Sequence, residues 1–347
     1  MNNLVSLWLK AGLLLIFFQV VIGGITRLTE SGLSITKWEV VSGTLPPLSD
    51  RDWEREYDLY RQTPQYQEIN EGMSMADFKF IYFWEYIHRL WARLMGFAFI
   101  VPFLYFSIKK KLSSRLKKNL GIVVLLAALA ATFGWIMVAS GLIERPWVNA
   151  YKLSIHLLIA FSVFGYLWWT WLMEFGQPLT VNRFGKNFNK VFLCFGIILF
   201  IQLLLGGMMS GMRIAVVYPT WPLQHGTIFP EVLQNTDNWT FENLYNYDMN
   251  EFAPAVVHFF HRSTAYLVLI LALMMFYIDR KNIAFRWNDS VLLLLVSVLL
   301  QVLLGVITVI YSVGEVPVLW GVLHQAGALL LVMSSVNLFF YTKTQEQ

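Results

Sequence analysis

Hydrophobic and polar positions alternate along this chain on the scale of whole helices. Eight apolar runs, near 4–25, 80–108, 119–142, 151–174, 190–211, 253–278, 290–312 and 318–341, are separated by polar breaks. Each is long enough to carry a helix of about 20 residues across a bilayer. Some exceed a single span, which predicts tilt or an extension beyond the membrane. No stretch between them suits a soluble domain of any size. The pattern predicts an all-α integral membrane protein with eight spanning helices.

The polar breaks differ in sign. "KKKLSSRLKKN" (109–119) carries six basic residues and no acid, and the breaks around 175–190 and 279–289 are also basic. The long breaks 26–79 and 212–252 are acid-rich, most densely at "SDRDWEREYD" (49–58). Short basic loops stay on the cytoplasmic side of a membrane. Both termini and the basic loops are therefore expected in the cytoplasm or a matrix-like compartment, with the two long loops outside. Composition agrees, with 57% hydrophobic residues, 14% charged residues and a mean hydropathy of +0.54. The net charge of +4 then reports topology and implies no nucleic-acid partner. The first run is full length and lacks a small-residue cleavage site, so no cleavable presequence is expected, and a bacterial cytoplasmic membrane is the expected home. The single cysteine, Cys194, lies within the fifth run. It rules out an intrachain disulfide or a thiol pair, and is expected to be a packing residue.

An internal repeat organises the runs. A shift of 173 residues, within "WEYIHRLWARL" (84–94) and "VHFFHRSTAYL" (257–267), places Glu85 on His258, His88 on His261, Arg89 on Arg262 and Ala92 on Ala265. The first and fifth runs match as "QVVIGG" (19–24) and "QLLLGG" (202–207), and Gly134 in the third matches Gly305 in the seventh. "SIHLLIAF" (154–161) lies beside "VLHQAGAL" (322–329), which pairs His156 with His324. Four helices per repeat is an even number, so both halves sit the same way up. The expected pseudo-twofold axis runs along the membrane normal. Two tandem four-helix bundles are expected: 1–175, carrying the long loop 26–79, and 190–347.

The repeat also fixes depth. His88, His156, His261 and His324 all fall within roughly 8–12 Å of the outer membrane edge at 1.5 Å per residue. Each bundle thus offers two imidazoles at matching height, on its second and fourth helices, and of the six histidines only His225 and His258 fall outside the set. Such a pair is what axial ligation of haem iron requires. Arg89 and Arg262 follow the ligands, and Arg27 and Arg213 end the first and fifth helices, as cations for haem propionates. Gly23, Gly24, Gly134, Gly206, Gly207 and Gly305 permit close approach of helices or of a macrocycle. Plainer roles stay open. Intramembrane histidines also serve as helix contacts or proton paths, the arginines can snorkel to the interface, and the aromatics, Trp168, Trp169 and Trp171 among them, suit a lipid-facing or interfacial belt.

The halves differ at one informative position. Glu85 lies one turn before His88 and shares its face, where the second half has His258. A carboxyl group inside a membrane is functional by default. Burial is expected to raise its pKa and suit it to giving or taking a proton. Pairing with Arg89 or Arg93 is the structural alternative. The first half is therefore expected to do the chemistry.

These residues resemble the haem A synthase family. The resemblance is carried by "GGITRLTESGLSITKWEVVSGTLPPL" (23–48), "FKFIYFWEYIHRLWARLMG" (78–96), "GWIMVASGL" (134–142), the second "HR" (261–262) and "LHQ" (323–325). It covers nearly the whole chain. It implies an oxidoreductase that converts the C8 methyl of haem O to a formyl, giving haem A for terminal oxidases. By the same resemblance His88 and His156 frame the substrate haem, with Glu85 assisting, while His261 and His324 ligate a resident haem B. A haem O synthase, a cytochrome oxidase, an unidentified electron donor and the lipid bilayer are the implied partners, and a homo-oligomer is left open. Two departures stand out. Some relatives carry a cysteine pair in the first outer loop, and 26–79 has none. In "YPTWPLQHGTIFP" (218–230) the family pattern leads one to expect an acidic residue near "WPLQHG"; His225 there either covers the second haem or belongs to an ordinary surface loop. The histidine pattern alone fits an electron-passing bis-histidine cytochrome equally well. A parallel-repeat transporter fits less well, since no helix pair is broken by Pro or Gly near the midplane.

Overall fold

The computed structural model describes residues 2–37, 45–143, 145–177, 184–281 and 289–344. Residues 38–44 of the first-loop motif, most of the basic breaks at 178–183 and 282–288, and the C-terminal 345–347 lie outside the described residues. A segment immersed in lipid must satisfy its backbone N–H and C=O groups internally, which an apolar helix does. Eight helices among the described residues are long and apolar enough to cross a membrane. In chain order the helices are α1 (Asn2–Leu28), α2 (Asp50–Tyr60), α3 (Pro64–Glu68), α4 (Met75–Ile108), α5 (Ser114–Gly141), α6 (Ala150–Phe175), α7 (Lys186–Gly211), α8 (Ile214–Val217), α9 (Glu231–Gln234), α10 (Phe241–Tyr245), α11 (Phe252–Arg280), α12 (Ser290–Ile310) and α13 (Val318–Thr344). The fold is all-α.

The chain forms two compact units, Met1–Ala160 and Phe161–Gln347. In the first unit, α1 and α4 are stitched together by side chains reaching opposing carbonyls. Trp8 Nε1 donates to Ala98 O at 3.1 Å, Trp91 Nε1 to Leu15 O at 2.9 Å and Thr26 Oγ1 to Trp84 O at 3.2 Å. Such bonds matter between membrane helices, where apolar contact alone gives little preference over lipid.

In the second unit, α7, α11, α12 and α13 pack in a ring around a core that includes Phe188, Phe195, Met275, Val298, Leu331 and Leu338. The end of α6 belongs to this unit because it packs on α13: Gly165 meets Val332, and Trp169 lies 5.1 Å from Phe339. Trp168 and Trp171 stack at 5.0 Å and 3°. All three tryptophans are half-buried. Arg280 closes the end of α11, 2.9 Å from the carboxylate of Asp289, which also caps α12 through Val291 N. Cys194 departs from expectation. It is exposed on α7, and the adjacent Phe195 takes the buried position.

The first long loop is more ordered than its acid-rich composition suggests. Ser49, Thr63 and Ser74 each cap a helix, accepting from Asp52 N, Tyr66 N and Asp77 N. The Ser74 cap starts α4 earlier than hydropathy alone indicates. Along α2, Glu54 and Asp58 face outward while Tyr57 and Tyr60 are buried against Ile35, Phe78 and Tyr82. Tyr60 and Phe78 stack at 5.2 Å, and Trp53 meets Tyr82 edge-on at 5.0 Å. The loop is a small aromatic cap on the first unit.

Burial pushes the Tyr60 phenol up to about 12, and its hydroxyl is fastened to Gln65 at 3.1 Å and Asn70 at 2.7 Å. The unfolded phenol ionises first, near 10, so the neutral folded form is favoured only below that pH. Protection of residues 50–74 against hydrogen exchange or proteolysis is expected to hold below about pH 10 and to fall towards pH 12. Tyr60→Phe should lessen that fall; an identical profile in the variant would assign it to another group.

Candidate functional site

Each intramembrane histidine rests against a glycine of the neighbouring helix. A methyl group added at Gly23 on α1 would lie 3.0 Å from His88 Nε2 on α4, and one at Gly134 on α5 would lie 3.1 Å from His156 Cε1 on α6. The second unit repeats the arrangement, with Gly206 on α7 at 3.3 Å from His261 Cε1 and Gly305 on α12 at 2.9 Å from His324 Cε1. These contacts are tighter than an alanine accepts without displacement. The glycines therefore give the imidazoles room. His88 and His156 lie within electrostatic range of each other, as do His261 and His324. All four histidines are half-buried.

Nitrogen chemistry is set by neighbours that the motif reading missed. His156 Nδ1 lies 2.9 Å from Ala130 O, and an N–H there leaves Nε2 with the lone pair. Gln202 Nε2 approaches His261 Nε2 at 3.4 Å, and Gln301 Nε2 approaches His324 Nε2 at 3.5 Å while donating to His324 O at 2.9 Å. The buried Nδ1 atoms of His261 and His324 have no hydrogen-bond partner. In the first unit Gln19 reaches only His88 O, at 3.3 Å. Gln19 and Gln202 were legible as the matching first letters of the two glycine motifs. Gln301 had a weaker signal, since its repeat partner is Ala130. Imidazoles with a free nitrogen and buried, unsatisfied ring atoms fit axial ligation of a haem iron.

Glu85 and Arg89 act on the loop end of the first unit. One Glu85 oxygen accepts from Ser34 N at 2.7 Å, Ser34 Oγ at 2.7 Å and Ile35 N at 2.8 Å, and the other meets Arg89 at 2.5 Å. Arg89 also donates to Ile35 O at 3.3 Å and Lys37 O at 3.5 Å. The structural alternative of a Glu85–Arg89 pair is thus what the geometry brings together, with loop 34–37 as its third member. Arg262 makes the corresponding clamp in the second unit, donating to Pro222 O at 2.7 Å and Ile228 O at 3.0 Å. Arg27 ends α1, and Arg213 adopts a left-handed conformation between α7 and α8. His258, at the position equivalent to Glu85, is buried beside Tyr218, and His225 is exposed.

Glu85 is 3% and Arg89 11% exposed at the side chain, so Glu85→Ala removes one partner of a buried ion pair. Such losses cost about 3–5 kcal/mol. The expected result is faster hydrogen exchange at the Ser34 and Ile35 amides and new tryptic cleavage at Lys37, with exchange in the second unit unchanged. Unaltered protection at Ser34 and Ile35 would show that the clamp does not hold the loop.

Comparison with known proteins places this geometry. The family model described as cytochrome oxidase assembly protein matches residues 6–336. The chain is 38% identical to a haem A synthase of Parvibaculum lavamentivorans over 95% of its own length and 92% of the relative's. It is 37% identical to the haem A synthase of Nitrosospira multiformis, covering 96% and 91% of the two chains. A third haem A synthase, from Wolbachia pipientis, is 36% identical with coverage of 98% and 93%. With the family model spanning nearly its whole length, this chain belongs to the cytochrome oxidase assembly protein family that includes the haem A synthases.

Proposed function

We propose that this protein is a haem A synthase, an oxidoreductase that converts the C8 methyl group of haem O to a formyl group for use in cytochrome oxidases. The observation that carries this reading is the pair of glycine-seated histidine couples, one in each unit, within a chain of this family. His88 and His156 hold the substrate haem O in the first half. His261 and His324 hold a resident haem B in the second. That haem, when bound, supplies a redox centre whose chemistry the protein orients and tunes.

The residues around the substrate chamber have separable tasks. His88 and His156 would hold haem O, Gly23 and Gly134 keep their rings in place, and the Glu85–Arg89 clamp fastens loop 34–37 to α4. Glu85 is also the group on this face able to hold or move a proton at its carboxylate oxygens as the methyl carbon is oxidised. Arg262 places positive charge beside the haem B site, whereas the charge of Arg89 is already matched by Glu85. The long loops face outward and both termini face the cytoplasm of a bacterial membrane. A haem O synthase delivers the substrate, and a separate donor handles electrons without a loop cysteine pair.

Haem extraction and mass analysis from membranes that make haem O, with and without the protein, tests this reading. Haem A is expected only when the protein is present. Glu85→Ala and Glu85→Gln are each expected to lower its yield by about a hundredfold or more while bound haem B is retained. His261→Ala and His324→Ala are expected to lose haem B itself. Bound haem B with haem O never altered would identify an electron-passing cytochrome, and no bound haem at all would sink both haem readings.

A further inference from the structure

The two halves handle the position one turn outward of the second-helix histidine in opposite ways. In the first half Glu85 supplies a carboxylate there, and donors surround it: Ser34 N–H and O–H, Ile35 N–H and the Arg89 guanidinium. In the second half the equivalent residue is His258, 3% exposed, whose Nδ1 has no hydrogen-bond partner. The Arg262 clamp is retained, but no internal carboxylate occupies the place that Glu85 fills.

The loop beside this position brings another buried polar group with capacity to spare. Gln224 is 1% exposed, and the Tyr218 phenol is the side chain within reach of its amide, which leaves the rest of that amide's hydrogen-bonding capacity unmet. Tyr218 is the common wall: its ring stacks on His258 at 5.5 Å and 5°, and meets His225 at 5.1 Å. The loop is pinned in this shape by Gln224 N donating to Thr227 O at 2.8 Å, with His225 and Gly226 at φ 47° and 82° between them. Buried polar groups without partners cost about 1–3 kcal/mol each unless something satisfies them. The fixed charge that acts on His258 is Arg262, and His225 is its other titratable neighbour. Glu251 is the acid within range of Tyr218. Buried donors under a positive local field suit an anion of the shape Glu85 carries in the other half.

We infer that His258 and Gln224, walled by Tyr218 and flanked by Arg262, form a carboxylate-binding site one helical turn outward of His261. The inference rests on the proposed seat of haem B at His261 and His324. A residue three positions along a helix is displaced by about 4.5 Å, so a propionate on the outward edge of a haem ligated by His261 reaches this height. The second source of the same chemistry is a free carboxylate entering from the aqueous side.

The test is titration of the full-length protein, purified from cells unable to make haem, with haem B and with its dimethyl ester, which lacks ionised propionates. The wild type is expected to bind haem B about tenfold more tightly than the ester, the value of one charge-assisted hydrogen bond. Gln224→Leu and His258→Phe keep the packing against Tyr218 and are expected to abolish the preference by weakening haem B alone. Unchanged ester binding in each variant, with the two-imidazole spectrum intact, shows that the bundle has folded. If haem B and ester bind alike in the wild type, but acetate raises its thermal stability and not that of the variants, the carboxylate comes from solution. No preference and no acetate effect, or a preference that survives both variants, overturns the site while leaving the haem B seat standing. Failure of the wild type to bind either haem overturns the seat and the inference together.

Discussion

An imidazole ring inside a bundle of membrane helices needs space, and here the space comes from a glycine on the neighbouring helix. The contact occurs four times, joining α1 to α4, α5 to α6, α7 to α11 and α12 to α13. It sets how closely these helices approach and which way each ring faces. A larger residue at any of the four would move a histidine whose nitrogens must stay available. Glycine in a helix interior is unfavourable by about 1 kcal/mol relative to alanine. The fold therefore accepts a local cost at each seat, and tertiary contacts such as the Trp91–Leu15 and Gln301–His324 bonds offset it.

The second constraint is the edge where helices meet the long loops. A charged side chain at this depth needs partners, and both arginines of the repeated His-Arg pairs find them in loop carbonyls. The loops are thus tied to the helices that carry the histidines, at the residue that follows His88 and His261. Movement of a loop and movement of a ring are mechanically linked in each unit. This arrangement gives Glu85 a positional task before any chemical one, because three of its contacts are to the loop itself.

Much of this was legible in the sequence, and the limits have physical reasons. Eight apolar runs translate into eight helices because lipid leaves an apolar segment little alternative. The repeat exposed the histidines, the glycines and the Glu85–His258 difference, since a duplicated site keeps its spacing. The cap formed by α2 and α3 was hidden by its charges: Glu54 and Asp58 dominate the composition, while Tyr57 and Tyr60 on the opposite face make the core. The caps at Ser49, Thr63 and Ser74 were readable signals left unused. Cys194 could not be placed, because an apolar helix with no polar face does not reveal which side meets protein and which meets lipid. Gln301 escaped because its repeat partner is an alanine, so repetition gave no warning.

The difference between the halves is the most informative result of the duplication. In the first unit the outward turn of α4 is electrostatically complete: the Glu85 carboxylate is matched by Arg89 and by loop donors, and an incoming anion would meet an anion already in place. In the second unit the same turn ends in neutral-or-cationic groups with unfilled hydrogen-bonding capacity at His258 and Gln224. A self-contained site can release a guest without leaving buried groups unsatisfied. An incomplete site is stabilised by keeping one, since departure exposes each orphaned group to its full desolvation penalty. The two halves thus differ at this turn in how much hydrogen-bonding capacity is left unmet, little beside Glu85 and more beside His258.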